Sequence, residues 1–169
     1  MIFRNIPGFN KQYFVSKTGV VKGPRKTLKP QTNDGGYKTV TVIDNDGKSV
    51  SRKVSRLVAL AWIRNPNPAE AIYVDHENRD RSYNDIDNLR WIDPICNALN
   101  NGCDGCHKTT NKIKPYRARV RVDGTRINLG YYETREEASR VARELREIIL
   151  NIRMRALYYE ETSRSPSFC

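Results

Sequence analysis

The sequence is poor in the residues on which several functions depend. It has no run approaching the roughly 18 apolar residues needed to span a bilayer, and its 169 residues include four cysteines, two methionines, two tryptophans and two histidines. Three of the cysteines, Cys96, Cys103 and Cys106, crowd together and the fourth is Cys169, which excludes a disulfide framework and agrees with a reducing compartment. The opening MIFRNIPGFNK lacks the apolar centre of a signal peptide, so a cytoplasmic location is expected. Negative charge is also short. Nineteen acidic side chains face thirty Lys and Arg, leaving a net charge of +11, and such a surplus is the usual footprint of a polyanion partner. The excess is not uniform: residues 1–50 carry nine basic and three acidic side chains, 51–101 seven of each, and 102–169 fourteen and nine. Two basic flanks bracket a neutral middle.

Within the first flank, short apolar runs at Tyr13–Val15, Val20–Val21 and Tyr37–Ile43 alternate with Pro-Gly, Asp-Gly-Gly and Asn-Asp-Gly turns, which predicts a small antiparallel β module over 1–50. Val54, Leu57, Val58, Ala61 and Trp62 then fall on one face of a helix that the Asn-Pro-Asn-Pro at 65–68 must end. Ile72–His76 reads as a strand, Glu77–Asn88 as a polar loop and Leu89–Ile92 as a second strand. Asp93-Pro94 suits an N-cap followed by proline in the first turn of a helix carrying Asn97, Asn100 and Asn101. Further on, Tyr116–Val122 alternates with period two, turns at Asp123-Gly124 and returns through Thr125–Leu129, a hairpin with arginines on one face. Thr134-Arg-Glu-Glu137 matches a capping box, and Ala138, Val141, Ala142, Leu145, Ile148 and Ile149 supply the apolar stripe of the helix it opens. From Tyr158 onward no stripe is visible, and 153–169 is expected to be a partly disordered tail. The fold class is thus α+β: a small N-terminal β module (1–50), a strand–loop–strand–helix core (51–101) and a C-terminal three-stranded sheet with one helix (102–152).

The chemistry concentrates in the neutral middle. Asp75 and His76 close one strand, and asparagines recur at measured intervals after them. Hard divalent cations such as Mg²⁺ take carboxylate, amide and water oxygens and keep several waters, so one Asp and one Asn oxygen form a sufficient protein share. A neutral histidine with an unperturbed pKa near about 6.5 can take a proton from water at physiological pH.

The stretch VDHENRDRSYNDIDNLRWIDPICNALNN resembles the ββα-metal motif of the HNH nucleases, in particular the homing endonucleases of phages and group I introns: Asp-His, then Asn within NLRW, then Asn in the following helix. The resemblance implies that Asp75 and Asn97 hold one Mg²⁺ or Mn²⁺ ion per active site, that His76 activates water, and that Asn88 fixes the loop and orients the histidine. Preferring Asn97 over Asn100 or Asn101 rests on that spacing. The flanks resemble neighbours of the same motif. FRNIPGFNKQYFVSKTGVVKGPRKTLKP with GYKTV is similar to the N-terminal module common in phage HNH proteins, and RLVALAWI to its connecting helix. YRARVRVDGTRINLGYYETREEASRVARELREI resembles the plant Apetala-type DNA-binding domain, also found behind phage nucleases.

These likenesses imply a sequence-specific, metal-dependent endonuclease acting on double-stranded DNA and leaving 5′-phosphate and 3′-hydroxyl ends. The flanks would grip DNA through Lys22, Arg25, Lys26 and Lys29 and through Arg117, Arg119, Arg121 and Arg126. One copy of the motif means one active site per chain, and no heptad or spare amphipathic face advertises a dimer, so a monomer that nicks one strand is expected. The competing reading is a sequence-specific DNA-binding protein with the nuclease fold as scaffold; the Asp75-His76 pair argues against it. Cys103-Asp-Gly-Cys106-His107 also spells a haem attachment motif and, with Cys96, offers zinc ligands. Haem lacks the expected export context, and zinc lacks a second spaced pair. The resemblance instead puts Cys106 at the start of the first strand of the C-terminal sheet, as a small core residue.

Overall fold

The computed structural model describes residues 1–9, 12–100 and 104–163, with side chains placed up to residue 159. Packing divides the chain into two compact units, Met1–Trp91 and Ile92–Cys169.

The first unit begins with β1 (Phe3–Asn5), β2 (Phe14–Ser16) and β3 (Val21–Lys22), an antiparallel sheet in that order. A second sheet follows, β4 (Gln31–Thr32), β5 (Lys38–Ile43) and β6 (Ser49–Lys53), also antiparallel. α1 (Val54–Trp62) leaves β6 without an intervening residue. Its apolar stripe buries Val54, Leu57 and Val58 in a core shared with Ile6, Val15, Val21, Val40, Val42 and Leu89. Trp62 closes one end of that core, its indole Nε1 donating to Val15 O at 2.9 Å while the Arg4 guanidinium stacks 4.3 Å from the ring centroid. β7 (Tyr73–His76) and β8 (Leu89–Ile92) form a two-stranded sheet, with a 3-10 turn at Ile86–Asn88 leading into β8.

Packing runs across the expected boundary at 50/51. Residues from the first fifty and from α1 and β8 fill one apolar core. The module and the site-bearing strands are a single unit.

In the second unit, α2 (Pro94–Asn100) is capped as its sequence foretold: Asp93 Oδ1 accepts from Cys96 N at 2.6 Å. β9 (Cys106–Lys108), β10 (Tyr116–Val122) and β11 (Thr125–Tyr132) form an antiparallel sheet with β10 in the centre, and a register shift at Ala118/Arg119 marks a bulge. α3 (Arg135–Ser163) starts at the expected cap, Glu137 N donating to Thr134 Oγ1 at 3.2 Å. Ala138 and Ala142 of α3, Ala118 and Val120 of β10, and Leu99 of α2 make the core of this unit. Gly105 shows how closely α3 lies on the sheet: with φ +69°, any Cβ there would meet Ala142 Cβ and Arg146 Nη2 at 2.5 Å.

The segment from 153, expected as a partly disordered tail, is helical as far as Ser163. Two contacts extend the helix past its apolar stripe. Arg153 donates through Nε and Nη2 to Asp93 Oδ2 at 3.1 and 2.9 Å, and Leu157 is buried. A regular stripe is therefore not needed where an ion pair and one apolar side chain anchor the turns.

Candidate active site

Asp75 and His76 end β7, where period-two alternation would send one of them outward; instead the strand stops and both are enclosed. Asp75, His76, Asn84 and Asn88 are only 8%, 3%, 7% and 5% exposed. Four buried polar side chains in one unit demand partners, and the loop after β7 supplies them. Asn88 Oδ1 accepts from Asn78 N at 3.0 Å and its Nδ2 donates to Tyr83 O at 2.8 Å, stitching both limbs of the loop. Glu77 N donates to Asn88 O and Arg79 N to His76 O, each at 2.9 Å. This network holds Arg79 at φ +63°, a left-handed conformation that an arginine adopts only under constraint.

Asn84, which the sequence did not single out, bonds the imidazole directly. Its Oδ1 lies 3.2 Å from His76 Nε2, and its Nδ2 donates to Ser82 O at 2.9 Å. The second bond fixes which end of the amide faces the ring. Because Oδ1 can only accept, Nε2 carries the proton and the neutral ring keeps its lone pair on Nδ1. Burial pushes the His76 pKa below its ordinary value, with the Asn84 bond and the Asp75 and Asp80 charges pulling the other way. Asn88 thus bonds both limbs of the loop, and the side chain that bonds the imidazole is Asn84.

Asp75 Oδ2 accepts from Arg90 Nε and Nη2 at 3.1 and 3.0 Å, an ion pair across β7 and β8. The N-terminal sheets also reach this loop. Lys17 O accepts from Ile86 N at 2.9 Å, and a Cβ at Gly19 (φ +83°) would lie 2.9 Å from Val54 Cγ1 and 3.1 Å from Asn84 Cβ. That turn therefore buttresses the side chain that holds the histidine.

Among the described residues no group of three or more His, Cys, Asp or Glu side chains is placed to hold a metal. The donor chemistry of the first unit is one buried carboxylate, Asp75, which suits a hard cation that retains most of its waters. Asn97 is half-buried on α2 in the second unit with Asn100, while Asn101 lies outside the described residues. For the zinc alternative, Cys103 is also outside them; Cys96 is buried on α2, and Cys106 opens β9 against the core as the resemblance implied.

The candidate DNA-contacting side chains fall in two places. Lys22, Arg25, Lys26 and Lys29 are all exposed along β3 and the segment after it. Arg25 and Lys26 border a cavity of about 650 Å³ floored by Tyr13, Leu28 and Ile43. On the second unit, Arg117, Arg119 and Arg121 alternate with the inward Ala118, Val120 and Val122, and Arg126 lies opposite Arg121 across the hairpin. His107 lies opposite Arg117 on β9, and its pKa is lowered first by burial and then by Arg119 and Arg117. No carboxylate pairs with any of these four arginines among the described residues, and Arg117 Nε is buried without a hydrogen-bond partner.

Comparison with known proteins bears on the fold that carries these residues. The structure is similar to that of the HNH homing endonuclease I-HmuI, solved in a study of DNA binding and cleavage, with a TM-score of 0.52 and 32% identity over 59% of this chain and 57% of that one. The fold is therefore of the HNH homing endonuclease kind. Residues 1–43 match the family model described as the NUMOD4 motif. Two proteins of Acanthamoeba polyphaga mimivirus, each described as an uncharacterized HNH endonuclease, are also similar: L245 is 36% identical over 66% of this chain, and L247 is 37% identical over 54%. The matched stretches make up 31% and 23% of those relatives, so the chain spans less than a third of their length.

Proposed function

We propose that this protein is a DNA endonuclease of the HNH homing type, hydrolysing a phosphodiester to 5′-phosphate and 3′-hydroxyl ends. The observation that carries the reading is His76: buried beside Asp75, fixed in one tautomer by Asn84, and held on a loop locked by Asn88. A merely structural histidine needs no such arrangement, whereas a general base needs a lone pair of defined direction.

Asp75 would hold a divalent cation, Mg²⁺ or Mn²⁺, and motif spacing assigns Asn97 as the second protein ligand; when bound, the ion supplies positive charge to the scissile phosphate and its leaving oxygen. Arg90 fixes the carboxylate through Oδ2. His76 Nδ1 takes a proton from the attacking water, whose oxygen forms the new bond to phosphorus as the bond to the 3′ oxygen breaks. The departing oxyanion takes a proton from solvent. Burial keeps the imidazole neutral and ready for this step near pH 7.

The exposed Lys22, Arg25, Lys26 and Lys29 and the β10–β11 arginines serve recognition. Their density on a short hairpin suits phosphate and guanine contacts, in the manner of an Apetala-type sheet. With one motif per chain, the protein acts as a monomer and nicks one strand.

The test is conversion of supercoiled plasmid bearing the target to open circle in Mg²⁺ or Mn²⁺. Cleavage should stop in EDTA and in Asp75→Ala and His76→Ala, with gel-shift binding retained. Persistent cleavage by those variants would refute the mechanism, and early linear product with a rate second order in protein would refute the monomeric nickase.

A further inference from the structure

The motif leaves unexplained a tyrosine beside its histidine and two cations on that tyrosine's ring. Tyr37, in the turn that enters β5, sets its ring 5.9 Å from the His76 imidazole at an interplanar angle of 50°. Lys53, the last residue of β6, places Nζ 3.4 Å from the centroid of that tyrosine ring, and Arg81 of the motif loop places its guanidinium 5.0 Å from it. Three separate parts of the first unit thus meet at one aromatic ring beside the base.

Two like charges on one ring lack compensation. A cation–π contact at an exposed site contributes only about 0.5–1 kcal/mol, and the cations repel each other: Lys53 is pushed below the ordinary lysine range first by burial and then by the Arg81 charge. Neither has a carboxylate within 4.0 Å among the described residues. The neighbouring acids are engaged elsewhere, Asp75 with Arg90 and Asp80 with Ser82. Arg81 is instead aimed by a hydrogen bond from Nη1 to Gly35 O at 3.0 Å, a backbone contact that holds the group without neutralising it. A pair of fixed, uncompensated cations beside a buried base is an anion seat.

We propose that Lys53 and Arg81, stacked on Tyr37, seat the non-bridging oxygens of the scissile phosphodiester, with Tyr37 a positioning residue for both cations and for His76. The inference rests on the nuclease reading above. Charge on those oxygens increases as water adds to phosphorus, so the pair stabilises the transition state more than the ground state.

The experiment follows plasmid nicking at saturating protein, with apparent Kd from gel shift and folding from thermal melts. Lys53→Gln and Arg81→Gln should each lower the saturating rate about 10²-fold, the scale for losing one preorganised oxyanion contact, with Kd changed only a few-fold. Lys53→Arg, Arg81→Lys and Tyr37→Phe should keep most of the rate, because they retain the charges and the ring, while Tyr37→Ala should fall as far as Lys53→Gln. Weakened binding at an unchanged saturating rate would overturn the proposal, making the pair ordinary backbone contacts. Loss in the charge-keeping variants equal to that in the glutamine variants would overturn it too. A wild-type protein that binds DNA but never nicks it in Mg²⁺ or Mn²⁺ would remove the nuclease reading itself, and this seat with it.

Discussion

The polar side chains around His76 and the arginines of β10 and β11 treat solvent in opposite ways. Around the histidine Asp75, Asn84 and Asn88 are buried, and the hydrogen bonds of the two asparagines are specified, down to the orientation of the Asn84 amide. On the hairpin, Arg121 and Arg126 are exposed, and among the described residues Arg121 has only a local bond from Nε to Gly124 O at 3.2 Å. The difference matches the roles proposed for the two surfaces. Proton transfer requires a lone pair held in one direction before substrate arrives. Contact with a long polyanion gains from mobile charged ends that stay hydrated until they displace counterions.

Substitutions should separate the two regions most sharply at the base. His76→Ala is expected to slow nicking by about 10²–10⁴-fold, the usual worth of a general base, with DNA affinity nearly unchanged in a gel shift. Equal losses of rate and affinity would erase the distinction. Next in size is Asn88→Ala, which leaves Asn78 N and Tyr83 O without their partner. Fully buried groups orphaned in this way cost about 1–3 kcal/mol each; Asn78 and Tyr83 are exposed and water reaches the freed groups, so the melting temperature should fall by a few degrees along with the rate. An exposed arginine should do neither.

Arg153→Met strips the partner from Asp93, which is buried while the arginine is partly exposed. Because water can reach the arginine side, the loss should lie below the roughly 3–5 kcal/mol of a fully buried pair, at about 1–2 kcal/mol by chemical denaturation. A gentler probe of the same place is Cys96, whose thiol burial pushes up to about 11, helped by the Asp93 charge. A thiol whose pKa is raised in the folded state stabilises the protein fully below its unfolded value near 9, and that stability is lost as pH rises toward 11. Cys96 should resist iodoacetamide at pH 8 until the chain unfolds. The smallest effects belong to the hairpin: Arg119→Ala or Arg126→Ala should reduce the slope of log affinity against log salt by about one each, without altering the rate at saturation.

Much of this organisation was legible because it is local. The stripe Val54, Leu57, Val58 and the alternation of Tyr116–Val122 produced elements with the expected limits, since burial of one face depends only on spacing along the chain. Asp75, His76 and Asn88 could be singled out from ordered residue types, and the structure encloses all three side chains in the first unit. Asn84 was hidden because it sits in a polar loop crowded with Asn, Asp and Ser, any of which can bond to backbone. Tyr37 and Lys53 were hidden for another reason: only the pairing of β5 with β6 and the fold of the motif loop bring them over His76. The joint core of residues 1–50 with α1 and β8 was equally invisible, because recognisable sequence blocks report ancestry and turn chemistry, not where apolar side chains are shared.

α2 holds the last of those lessons. The helix falls in the stretch that resembles the nuclease motif, yet Leu99 is buried with Ala118, Val120, Ala138 and Ala142, and Asp93 at its start is tied to Arg153 of α3. Cutting the chain after residue 101 would therefore strand a motif helix without its foundation, and grafting a foreign recognition domain there would have to rebuild Arg153 and the seat of Leu99. A productive exchange between such proteins has to cross over upstream of Asp93. On the proposed function, retargeting by domain swap would carry this helix along with the new specificity, so the pieces proposed for cleavage and for recognition would be inherited as overlapping segments.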